Sequence, residues 1–148
     1  MSQIIRRKDT TPTEHAQAAP WLESIEVPPS AKWLFISGQV PPIINSDVDI
    51  EDRAAYGDME TQTRGVLLRI EQKLKTAGFS LGDIVKMTVF LVAESKNQKV
   101  DLDGFGRAYR DFFGTIAQPN LHTRSRIQVV QLMNPAWLVE IEVIAARV

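Results

Sequence analysis

The segment Ile84-Val85-Lys86-Met87-Thr88-Val89-Phe90-Leu91-Val92 sets the strongest limit on how this chain folds. Successive side chains of a strand point to opposite faces. Val85, Met87, Val89 and Leu91 therefore share one face, and Ile84, Phe90 and Val92 share the other. Both faces are apolar, so the run predicts a central strand covered on both sides. The other elements can be judged by what they contribute to that cover.

Two helices are available for it. Met59, Thr63, Val66, Leu67, Ile70 and Leu74 recur at helical steps, with Asp58 as the cap and Glu60 in the first turn. Ala77-Gly78 ends this helix, because glycine suits the left-handed position past a helix end. Asp101 caps a second helix, whose stripe is Leu102, Phe105, Tyr109, Phe112 and Phe113. Residues 4–7 read as a short edge strand. Residues 22–27 alternate, Pro28-Pro29-Ser30-Ala31 turns, and Trp33-Leu34-Phe35-Ile36 continues as an apolar run, so these two runs are expected to pair as a hairpin. Residues 123–132 and 138–145 are two more strands, joined by Met133-Asn134-Pro135-Ala136. Residues 10–17 and 39–57 read as loops, and the second is long for a compact domain. The pattern predicts one α+β domain over residues 1–148, with an extended strand and loop over residues 1–20. One mostly antiparallel β-sheet of five to six strands would carry both helices packed on one face. Its other face stays apolar and uncovered, and self-association is the simplest cover.

The available chemistry is narrow. The chain has no cysteine, which excludes disulfides, thiolate metal sites and cysteine nucleophiles. Its 17 basic and 18 acidic residues leave a net charge of -1, which argues against a nucleic-acid grip over the whole surface. Arg6-Arg7-Lys8 is too short a run to change that. No window of about 18 residues is free of charge, and no apolar leader precedes the domain, so no membrane contact and a cytoplasmic setting are expected. His15 and His122 are far apart, so no metal site is indicated. The scattered glycines make no phosphate loop or dinucleotide fingerprint.

Two groups stand out. Arg124 begins a strand in His122-Thr123-Arg124-Ser125-Arg126, and alternation puts Arg126 on the same face. It reads either as a surface arginine on a strand edge or as a carboxylate clamp, since guanidinium offers a planar donor fork. Glu140 and Glu142 sit in an otherwise apolar strand. They read either as a solvated face or as a base that orients water.

Several segments together resemble the reactive intermediate deaminase (RidA/YjgF) family. They are Ile36-Ser37-Gly38-Gln39-Val40-Pro41, then Ala77-Gly78-Phe79-Ser80-Leu81-Gly82-Asp83 with the strand after it, and Tyr109-Arg110-Asp111-Phe112-Phe113. Arg124-Ser125 and Val139-Glu140-Ile141-Glu142-Val143-Ile144-Ala145 complete the series. The similarity runs from about residue 22 to the end of the chain.

That resemblance implies a chorismate-mutase-like sandwich and a homotrimer whose open sheet faces meet in a central barrel, with active sites between subunits. It implies hydrolysis of enamine and imine acids to 2-keto acids and ammonia without a cofactor. Arg124 would bind the substrate carboxylate, and Glu140 would hold or deprotonate the attacking water. Ser37 belongs to the matching segment, and Gly38 would let a ligand approach the backbone. Main-chain groups at Arg126 would help fix the ligand, and Tyr109 would hydrogen-bond within the cleft. Departures from the pattern are Trp21 in place of a cleft tyrosine, Gly106 in place of an asparagine, and His122 in place of a common proline. Gly106 removes a side chain and is expected to widen the pocket, pointing to a larger or different enamine acid. An aminomuconate-type deaminase, a trimeric carboxylate-binding protein without turnover, and RNA cleavage are the alternatives.

Overall fold

The computed structural model describes residues 3–8 and 20–148. The loop expected over residues 10–17, including His15, lies outside them. Among the described residues six strands and two α-helices follow the order β1 (Ile5–Arg7), β2 (Ser24–Glu26), β3 (Lys32–Gln39), α1 (Met59–Thr76), β4 (Ile84–Leu91), α2 (Leu102–Arg110), β5 (Thr123–Gln128) and β6 (Val139–Arg147). The α+β class holds, but the strands divide into two sheets rather than one. β3, β6, β4 and β5 lie side by side in that order, and β1 pairs with β2 alone. The larger sheet is antiparallel except where β5 runs parallel to β4.

The expected hairpin between β2 and β3 does not form: β2 pairs with β1, and β3 pairs with β6. Pro28 and Pro29 lack ladder donors, and Ala31 N donates back to Pro28 O at 3.1 Å, so the chain turns out of one sheet into the other. Arg6 ties the small sheet to the end of β4. Its guanidinium donates to the carbonyls of Gly82 (2.8 Å), Leu121 (2.9 Å) and Ile84 (3.2 Å).

α1 is built as its sequence dictates. The Asp58 carboxylate accepts from Thr61 N at 2.8 Å, and Gly78 takes a φ of 78° past the other end. Val66, Leu67, Ile70 and Leu74 are fully buried against Met87 and Val89 of β4 and Ile141 and Val143 of β6. Gln62, buried with them, is saturated. Its amide nitrogen donates to the carbonyls of Gly57 (2.9 Å) and Ala136 (3.0 Å), and its oxygen accepts from Leu138 N (2.8 Å). This fixes the start of β6 against the helix. In α2, Phe105 and Tyr109 enter the core, but Leu102 in the first turn is 46% exposed and does not belong to the stripe.

The second face of β4 is left open along its middle, whereas Ile84, expected on that face, joins the core at a register irregularity, and Val92 past the strand end is buried too. Val85, Met87, Val89 and Leu91 are buried beneath the helices, whereas Lys86, Thr88 and Phe90 on the other face are only half-buried. β5 stops at Gln128 instead of reaching residue 132. β4 ends at Leu91, whose carbonyl takes a last bond from Val129 N (2.8 Å), and nothing remains to pair with.

The 39–57 loop folds back on α1. Arg69 donates to the Val40 carbonyl at 2.9 Å, and the Pro42 ring lies over Gly65. Replacing a mid-helix glycine by alanine ordinarily gains about 1 kcal/mol. Here the new Cβ would sit 2.5 Å and 2.7 Å from Pro42 Cδ and Cγ. Gly65→Ala is therefore expected to lower the urea midpoint despite better helix propensity; a raised midpoint would contradict this packing.

Candidate active site

The candidate residues fall into two groups on opposite faces of the larger sheet. Arg124 of β5 lies in register with Met87 of β4, so its side chain points to the helix side. There its guanidinium carbon is 4.5 Å from the Tyr109 ring centroid, 5.2 Å from Trp21 and 5.6 Å from Phe105. Arg126 points the same way, 5.9 Å from the Phe105 centroid. The helical spacing of Phe105 and Tyr109 thus meets the strand alternation of Arg124 and Arg126. Arg124 is half-buried despite its place on an edge strand. Burial pulls its pKa down to about 10, opposed by Tyr109 and reinforced by Arg126, so it remains a cation at neutral pH.

Trp21 is brought to this spot by hydrogen bonds to the main chain on either side of it. The Tyr109 hydroxyl donates to Pro20 O at 2.9 Å, and Leu22 N donates to His122 O at 3.0 Å. Tyr109 is 1% exposed, with its hydroxyl turned inward and its ring under Arg124. It supports the arginine. Burial pushes its pKa up to about 12, with Arg124 acting in the other direction.

His122 was legible only as a departure from a proline, yet it belongs to this framework. It is fully buried, with Nε2 3.2 Å from the Tyr109 hydroxyl and its ring edge-on to Phe113. Because the tyrosine donates to Pro20, Nε2 is left to donate to the phenolic oxygen. Burial, aided by the charges of Arg124, Arg6 and Lys86, drives its pKa down to about 3. Gly106 does not open empty space, since a Cβ there would lie 3.1 Å from Nη1 of Arg110, one turn further along α2.

The second group lies on the open face. Glu140 of β6 is in register with Phe90, not with the core residues of β4. β3 carries an irregularity between Ile36 and Gln39, and there Gly38 stands against the Glu140 side chain. A Cβ on Gly38 would come 2.9 Å from the Glu140 carboxyl carbon and closer still to Oε1. The glycine therefore makes room for the carboxylate itself. Ser37 lies beside it, in a hollow of about 230 Å³ shared with Phe35, Lys86, Thr88 and Glu142. Within one chain the sheet separates Arg124, Arg126, Trp21 and Tyr109 from Ser37, Gly38 and Glu140. No cluster of three or more metal-ligating side chains occurs among the described residues, nor is any helix among them long and apolar enough to cross a membrane.

Residues 11–147 match the family model described as Endoribonuclease L-PSP. The chain is 32% identical over 143 residues to a 2-iminobutanoate/2-iminopropanoate deaminase of Salmonella typhimurium, covering 93% of this chain and 97% of that one. It is 32% identical over 143 residues to a RutC family protein of Pyrococcus horikoshii, covering 95% and 98%. Among solved structures it is similar to that of E. coli TdcF with bound serine, with a TM-score of 0.61, 28% identity, and coverage of 97% and 94%.

His122 gives the fold an acid sensitivity. The folded chain refuses the proton until the pH falls to about 3. An unfolded histidine takes it near 6.5. Protonation thus favours the unfolded state increasingly as the pH falls from about 6.5 toward 3, and has no effect above that window. Between pH 7 and pH 4, wild type should lose more melting temperature than His122→Gln; equal losses would refute the neutral buried histidine.

Proposed function

The chain belongs to the Endoribonuclease L-PSP family, the RidA/YjgF group, and from that premise we propose that it is a cofactor-independent deaminase hydrolysing enamine and imine acids to 2-keto acids and ammonia. The observation that carries this reading is Arg124: a cation half-buried among aromatic rings with no acidic partner among the described residues. Such a group is poised for an incoming carboxylate.

The catalytic unit is a homotrimer in which the Arg124 group of one copy faces the Gly38–Glu140 group of the next. Trp33 (48% exposed), Phe35 (72%) and Ile127 (43%) belong to the open sheet face, and pairing with other copies would bury them. Arg124 binds and orients the substrate carboxylate. Glu140 accepts a proton from water as the water oxygen bonds to the imine carbon, and the C=N π pair becomes the nitrogen lone pair. Returning that proton to nitrogen gives the amino alcohol; the hydroxyl then passes its own proton through Glu140 to nitrogen, and the C–N bond breaks, releasing ammonia as the C=O bond forms. An enamine first takes a proton at carbon to become the imine.

A carboxylate-binding protein without turnover is the second reading, favoured by Trp21, which lacks the hydroxyl of a tyrosine. It predicts saturable binding of 2-oxobutanoate with no release of ammonia. The ribonuclease in the family's description finds no general base in His122, which is sealed in the core and neutral.

The test is ammonia and keto acid release from freshly generated 2-iminobutanoate. Arg124→Ala should lower kcat/KM by about 10- to 100-fold, the value of one charged hydrogen bond. Glu140→Gln should lower kcat with little change in KM. Undiminished activity in Arg124→Ala would remove its assigned role.

A further inference from the structure

His122 closes a circle of hydrogen bonds around Trp21. Its main-chain oxygen accepts from Leu22 N at 3.0 Å. Its Nε2 donates to the Tyr109 hydroxyl at 3.2 Å, and that hydroxyl donates to Pro20 O at 2.9 Å. The peptide groups before and after Trp21 are thus tied to one residue, once directly and once through Tyr109. Against these rings lies Arg124, its guanidinium carbon 5.2 Å from the Trp21 centroid and 4.5 Å from that of Tyr109. An apolar residue would fill the place of His122 more simply. The histidine is fully buried, edge-on to Phe113 at 4.6 Å, and its Nδ1 has no hydrogen-bond partner among the described residues. A buried polar atom without a partner lowers stability. What the imidazole adds over an apolar side chain of similar size is the one donor that Nε2 offers to Tyr109.

We propose that His122 is a positioning residue. Through Tyr109 and the segment from Pro20 to Leu22 it fixes the Trp21 ring against Arg124, so that the guanidinium meets the substrate carboxylate in one orientation. This rests on the reading of Arg124 as the carboxylate clamp. A ligand then enters a site already ordered instead of ordering it on arrival. The effect of His122 therefore falls on binding and not on the step at the imine carbon.

The experiment compares wild type, His122→Leu and His122→Gln in 2-oxobutanoate affinity by calorimetry and in the kinetics of 2-iminobutanoate. His122→Leu should weaken binding and raise KM about three- to tenfold, the value of one hydrogen bond, with kcat within about twofold. His122→Gln, whose amide keeps a donor, should stay within about twofold of wild type in both. In a Trp21→Ala background His122→Leu should have no further effect. Unchanged affinity in His122→Leu would overturn the proposal, as would a loss that His122→Gln shares or one that persists in full without the Trp21 ring. Should His122→Leu not fold, Tyr109→Phe cuts both side-chain links while keeping a ring under Arg124. It should weaken binding at least as much, and unchanged affinity there would overturn the proposal equally. If Arg124→Ala abolishes 2-oxobutanoate binding while His122→Leu leaves it intact, the clamp stands without the positioning role. If wild type binds no 2-oxobutanoate, both readings fall.

Discussion

Neighbouring residues of a strand must face opposite ways, and this period of two decides on which face Arg124, Arg126, Ser37 and Glu140 end up. On β4 it sends Met87 and Val89 into the helices and leaves Thr88 and Phe90 on the open side. Arg124 follows Met87 across the parallel ladder, and Glu140 follows Phe90 across the antiparallel one. The cation and the carboxylate are thereby held on opposite faces of one sheet. No side-chain rotation brings them together, because the sheet itself lies between them. The open face is also the one carrying exposed Phe35 and Trp33. On the proposed reading, another copy of the chain would both cover that surface and complete the divided site.

The arginine side of the site is organised before any ligand arrives. Each cation–π contact of this kind is worth about 0.5–2 kcal/mol, which offsets part of the cost of drawing the charge out of water. The rings are themselves held. Tyr109 is locked by Pro20 and His122, and the same bonds hold the segment that carries Trp21. A ligand carboxylate would meet a guanidinium with little rotamer freedom left to lose.

Local patterns were legible wherever a single element decides the outcome. The cap at Asp58, the face of α1, the core face of β4 and the shared face of Arg124 and Arg126 follow from periodicity alone. Pairing between distant segments was not. β2 pairs with β1 rather than β3, and Arg6 of β1 reaches carbonyls more than seventy residues away, contacts that no local pattern encodes. Gly38 reads in the sequence as room for a ligand, but the register of β3 on β6 fills that room with Glu140. Gly106 reads as a widened pocket, yet Arg110 occupies the space from one turn along. In each case the deciding neighbour comes from tertiary register or a long flexible side chain, which a strand or helix period does not encode.

We infer that one working site needs the arginine of one copy and the glutamate of another. Refolding a mixture of Arg124→Ala and Glu140→Gln chains tests it directly, because neither variant alone has an intact site. If the site spans two subunits, an equimolar mixture should recover roughly a quarter of wild-type 2-iminobutanoate deaminase activity, since that share of interfaces joins two intact halves. Activity no higher than that of the separate variants, in a mixture shown to contain mixed oligomers, would contradict it.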